Sequence, residues 1–136
     1  MPVARSLPAT LAPRFAGAER LLATTESGSF ELVVAARPML RLRGLAGLEE
    51  RELVPLLFPR CRSLHTLWMR APIDIVWLEH AEDAVTVLDV TQALPARRLA
   101  RAPRGIARRR SAALELAAGE AEAVGLQVGS AMTVRT

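Results

Sequence analysis

The chain has no lysine and no tyrosine, a single cysteine, and only three Phe and two Trp as aromatic residues. Each shortage narrows what 136 residues can build. One cysteine allows no internal disulfide, so a reducing compartment is the expected home. Aromatics make up 4% of the chain against 51% apolar residues, so the core has to come from Leu, Val, Ala and Ile. No uncharged stretch reaches membrane-spanning length. Pro8 and Pro13 interrupt the N-terminus before any apolar run long enough for a signal peptide. A soluble, cytoplasmic protein is the expectation. The length suits one domain, large enough to bury roughly two thirds of the surface that its unfolded chain exposes.

Without lysine, all eighteen basic residues are Arg. Together with the many alanines this is the mark of a GC-rich coding bias, and it lowers the weight of an Arg count as a sign of binding. The net charge of +4 is also local in origin. Residues 1–90 balance ten Arg against eleven acids, and residues 111–136 hold one Arg and three Glu. Between them Arg97, Arg98, Arg101, Arg104, Arg108, Arg109 and Arg110 form an acid-free basic patch. The patch has no interleaved aromatics on which bases could stack. A solvated loop is the preferred reading, with an acidic protein surface as the partner such charges would steer and nucleic acid placed behind it.

Residues 1–29 mix Pro, Ala, Gly and Ser and are read as an N-terminal lead-in, with Leu21 and Leu22 starting at most one strand. A single β domain is expected over 30–136. Phe30–Ala36 is rich in β-branched residues and predicts a strand that Pro38 ends. Gly44 and Gly47 suggest a turn, and Leu48–Leu53 a short helix with acids near its positive end. Alternation predicts a strand over Ser63–Met69, with His65 and Met69 on one face and Thr66 and Trp68 on the other. After the Ala71-Pro72 corner, Ile73–Leu78 reads as a central strand. A polar hairpin over Glu79–Asp83 leads into a strand at Ala84–Val90. Further strands are expected at Ser111–Ala117 and Met132–Arg135, separated by a short helix that Gly125 stops. The fold class is therefore mainly β, or α+β counting two short helices. Its expected form is a single-domain twisted β-sandwich or partly closed barrel.

Several segments follow in a telling order: Arg41-Leu-Arg-Gly-Leu45, Pro59-Arg-Cys-Arg-Ser-Leu-His-Thr66, Trp68-Met-Arg-Ala-Pro-Ile-Asp74, Ala113-Leu-Glu-Leu-Ala-Ala-Gly119 and Gly125-Leu-Gln-Val-Gly129. Their order and spacing resemble the bacterial and archaeal domain of unknown function 192 family, over roughly residues 30–135. The resemblance implies a compact, jelly-roll-like β domain with no established activity, no known cofactor and no agreed catalytic residues. This chain departs from the family pattern at Trp68, where a small residue or Phe is usual, and at Ser130, where an Asp is usual.

No catalytic residue is assigned. The chain has no nucleophile-elbow triad, no Walker glycine loop and no zinc-type Cys/His cluster. Cys61, His65 and Met69 are soft ligands at a spacing of four. Along a strand that spacing covers roughly 13 Å, too far for one ion, so core packing is preferred and no metal is assigned. Arg70 and Asp74 flank the Ala-Pro corner, and a salt bridge across it is the favoured reading. Glu115 alternates away from Leu114 and Leu116, and if its face is core its pKa should be perturbed. The preferred function is a non-catalytic binding or accessory module. Its site would gather Arg43, His65, Trp68, Arg70, Asp74 and Glu115, with no cofactor. The enzyme alternative is a hydrolase of a sugar or other small molecule, which needs Asp74 and Glu115 as a close carboxylate pair.

Overall fold

The computed structural model describes residues 3–82 and 84–136. Met1 and Pro2 of the expected lead-in, and Asp83 of the expected hairpin, lie outside the described residues. In chain order the elements are β1 (Val3–Arg5), a 3-10 turn at Pro13–Phe15, β2 (Arg20–Thr25), β3 (Gly28–Val34) and α1 (Pro38–Arg43). Next come a 3-10 turn at Glu50–Glu52, β4 (Leu56–Phe58), β5 (Ser63–His65), β6 (Ile73–Ala81), β7 (Ala84–Leu94) and β8 (Leu99–Arg101). A 3-10 turn at Arg108–Arg110 precedes β9 (Ser111–Ala117), α2 (Glu120–Ala123) and β10 (Ala131–Arg135). Strand makes up 42% and helix 15%, so the fold is mainly β with two short helices.

Seven strands run in the order β3-β2-β10-β7-β6-β9-β4, and the β3–β4 pairing closes them into a barrel. Closure leaves no exposed edge among those seven strands. β1 lies parallel on the outer part of β3, and β5 and β8 form a separate two-stranded sheet. Thus the segment read as a lead-in carries β1, β2 and the start of β3.

Alternation along the strands gives the wall two buried faces. Ala23, Phe30, Leu32, Val76, Val87, Leu114, Leu116 and Met132 point into the barrel. Val33, Leu56, Phe58, Ile75, Trp77 and Ala113 point outward, under a layer built from Phe15, Leu40, Leu45, Leu48 and Val54. Both faces of β6 and β9 are therefore apolar. This explains why Ile73–Leu78 is buried throughout instead of alternating with polar residues.

Two local differences from the sequence reading have clear causes. Pro38 starts α1 at its first position, where the missing N–H costs nothing, and Leu40 carries the helix into the outer layer. The expected helix at Leu48–Leu53 is only a 3-10 turn, held by reciprocal Glu49 and Glu52 side-chain bonds to backbone N–H groups. Among the described residues no helix is long and apolar enough to cross a membrane.

Candidate functional site

The chain after β5 does not stay extended. Thr66 is fully buried; its hydroxyl donates to the Pro95 carbonyl at 2.7 Å and accepts the Arg98 N–H at 2.8 Å. These bonds anchor the 63–69 segment against the chain before β8 and end the strand at His65. Trp68 then adopts φ +61° with 76% of its surface exposed, an unusual state for a bulky residue. Its ring meets the His65 ring edge-on, with centroids 6.4 Å apart. Its carbonyl accepts the Gly47 N–H at 2.9 Å. Arg14 holds the facing turn, donating to the Gly44 and Ala46 carbonyls at 2.8 Å each.

Between these two turns lies a cavity of about 150 Å³. Arg43, Gly44, His65, Leu67 and Met69 form its walls, and Glu115 reaches it from β9. Glu115 faces outward from the barrel beside Leu56 and Ile75, with which it is in register. Only 3% of its surface is exposed. No hydrogen bond reaches its carboxyl from the described residues. Burial alone pushes its pKa up to about 8, so at neutral pH it is a carboxylic acid, able to donate one hydrogen bond and accept others. The sequence argument for a perturbed Glu115 stands on this geometry.

Gly44 makes the approach possible. Its backbone is at φ +52°, and a Cβ there would lie 3.3 Å from Phe58 Cζ and 3.5 Å from Glu115 Oε1. Gly44→Ala is expected to cost about 1–3 kcal/mol through backbone strain and to narrow the cavity. A denaturant titration of the variant showing unchanged stability would mean that the turn does not hold this conformation.

The other expected site residues are placed differently. Asp74 is fully buried on the opposite side of the wall: it is in register with Leu116, whereas Glu115 is in register with Ile75. The two carboxylates therefore face opposite sides, and the hydrolase reading that needs them as a pair is overturned. The Arg70–Asp74 salt bridge is overturned as well. Asp74 Oδ1 accepts the Ala93 N–H at 2.8 Å, and Oδ2 accepts those of Gly119 and Ala121 at 3.0 and 3.1 Å. Arg70 instead approaches Glu49 at 4.0 Å near the surface.

Cys61 is buried and its thiol donates to the Ser63 carbonyl, whereas His65 and Met69 line the cavity. Among the described residues no cluster of three or more His, Cys, Asp or Glu could hold a metal. At Ser130, where Asp is the family habit, the hydroxyl accepts the Gln127 N–H and donates to its carbonyl, so it caps the turn by itself.

All seven Arg of the basic run are exposed, but they do not form one loop. Arg101 lies on β8, which pairs with β5 and so adjoins His65, and Arg97 and Arg98 bond through their backbone to Thr66. Arg108–Arg110 form the turn that enters β9. Sequence reasoning missed Thr66 and Arg14, which act through side-chain bonds to distant backbone groups. Gly44 had a sequence signal, as part of the expected turn at Gly44 and Gly47, because glycine readily supplies a positive φ.

A family model described as Uncharacterized ACR, domain of unknown function 192, matches residues 21–134. No curated protein matches the chain. Two solved structures share the fold. One, from Sinorhizobium meliloti, is described as a putative transcription regulator; it is 20% identical with a TM-score of 0.59, over 85% of this chain and 92% of that one. The other, a protein of unknown function from Novosphingobium aromaticivorans, is 18% identical with a TM-score of 0.64, over 93% and 91%. At these identities the likeness concerns the fold alone.

Proposed function

The chain belongs to the uncharacterized family of domain of unknown function 192, and from that premise we propose that it is a non-catalytic binding module whose ligand enters the cavity over Glu115. One observation carries this reading: a nearly fully buried carboxyl opens onto a surface cavity without a hydrogen bond from the described residues. The cavity leaves that carboxyl reachable, since among the described residues no fully buried side-chain oxygen or nitrogen lacks a hydrogen-bond partner. A ligand that brings a hydroxyl or amide group pairs with it there, at a net gain of about 0.5–1.5 kcal/mol per bond. The protonated acid favours an uncharged group over a cation, and Arg43 at the wall disfavours a cation further. The small volume favours a compact ligand such as one sugar unit, with His65 in the cavity wall backed by the edge-on ring of Trp68.

The check is a thermal-shift panel of monosaccharides and small amides at pH 6.5, on the wild type and on Glu115→Leu. Compounds that favour the native state raise its melting point by mass action. Shifts that appear in the wild type and vanish in Glu115→Leu are expected. Equal shifts in both proteins would place the site elsewhere.

A second reading has its own support. Trp68, Leu67 and Leu99 are exposed large apolar residues, and Arg97, Arg98 and Arg101 stand on the same β5–β8 region. Exposed Trp with Arg is the composition of protein-binding hot spots, and an acidic protein surface is the partner it suits.

A further inference from the structure

We propose that the end of the barrel away from α2 is a second binding site, and that it takes a free medium-chain fatty acid, tail inward and carboxylate at the rim. The two ends of the barrel are unlike. At one end α2 and the chain after it drive Ala121, Val124 and Leu126 into the interior as a plug, and Asp74 ties the plug to the wall. At the other end nothing comparable enters among the described residues. The inward-facing positions there are Leu21, Leu57, Leu78, Val85, Met132 and Val134, contributed by β2, β4, β6, β7 and β10. They surround an open cavity of about 510 Å³, within the range of roughly 300–1,000 Å³ typical of small-molecule sites. Leu21, Leu57 and Val134 are only half-buried, so the apolar lining continues to the mouth.

Among the described residues the rim has one sign of charge. Arg60, Arg109 and Arg110 line the mouth together with His80, and no described carboxylate lines it. Among the described residues none of these three guanidinium groups forms an ion pair. The 3-10 turn over Arg108–Arg110 sets Arg109 and Arg110 at the start of β9, so their place follows from the fold and not from a mobile tail. An apolar well under unpaired guanidinium groups fits an aliphatic chain that ends in a carboxylate, which guanidinium binds in bidentate fashion. No Phe, Tyr or Trp lines the well, so the strongest stacking platforms for a base are absent from it.

The test is calorimetric titration of the full chain with hexanoate, octanoate and decanoate below their micellar concentrations, with decanol as the uncharged control. Binding is expected to tighten about threefold to fourfold per added methylene and to be at least tenfold weaker for decanol. The double variant Arg109→Glu, Arg110→Glu is expected to weaken decanoate at least tenfold without lowering the melting temperature, since both side chains are exposed. Val134→Trp, which fills the mouth, should abolish binding while circular dichroism shows the fold intact. No chain-length dependence, equal affinity in the double variant, or binding only to phosphatidylglycerol vesicles and not to monomeric decanoate would each overturn the proposal. None of these outcomes involves Glu115, so the two sites are tested separately.

Discussion

Wild-type protein is expected to lose stability between about pH 5 and pH 8, and Glu115→Gln is expected not to. The unfolded carboxyl ionises near its ordinary value of 4.5, while burial holds the folded one protonated up to about 8. Between those values the folded chain keeps a proton that the unfolded chain has released, so raising the pH favours unfolding. Below the lower value both states are protonated and the full stability is present. Above the upper value both are ionised and the loss is complete. At about 1.4 kcal/mol per pH unit the full loss is on the order of 5 kcal/mol. Gln has nearly the same shape and nothing to ionise. The variant should match the wild type near pH 5 and exceed it by about 3–5 kcal/mol near pH 8.5, which is roughly 10 °C or more in melting temperature for a domain of this size. Chemical denaturation at the two pH values decides the matter. Parallel curves for the two proteins would mean that Glu115 is ionised in the folded state, and the uncharged-ligand reading would fall with it.

Glu115 also shows what a sequence reader can and cannot extract from this chain. Alternation against Leu114 and Leu116 is enough to turn its side chain away from theirs, and the nearly continuous apolar run of Ile73–Leu78 is enough to mark a central strand. Both rest on local geometry that every strand obeys. The relation between Asp74 and Glu115 is of another kind. It depends on the register of β6 against β9, which no residue in either strand announces, and one step of register exchanges the faces. The β5 segment failed for a further reason. Ser63–Met69 has a good alternating pattern, but Thr66 finds acceptors and donors about thirty residues away, and those bonds outweigh the pattern. The cavity over Glu115 exists because of that capture. The basic run misled through continuity: neighbours in sequence between 97 and 110 are divided by the fold between the β5–β8 sheet and the open end of the barrel.

Asp74→Ala is expected to be among the most damaging single substitutions in the chain, at about 3–5 kcal/mol, since it leaves the buried Ala121 N–H and the part-buried Ala93 and Gly119 N–H groups without their shared acceptor. The β6–β7 pairing is irregular here: Ile73 is in register with Leu94 but Ile75 with Thr91, so β7 carries an extra residue. That bulge, with Ala93 at φ +50°, turns the Ala93 N–H toward Asp74 Oδ1. Oδ2 takes two N–H groups from the start of α2, the element that plugs the barrel end. A single side chain thus joins a strand distortion to a helix start. Asp74→Asn separates the two connections. Its oxygen is best used toward Gly119 and Ala121, which sets its NH2 group against the Ala93 N–H, and a loss of about 1–3 kcal/mol follows. The order wild type, Asn, Ala in urea midpoint is the expected result. If Asp74 were instead a ligand contact, both variants would melt with the wild type while ligand affinity fell. Equal midpoints for all three proteins would therefore return Asp74 to the list of binding residues and leave the closure of the barrel end to the burial of Ala121, Val124 and Leu126 alone.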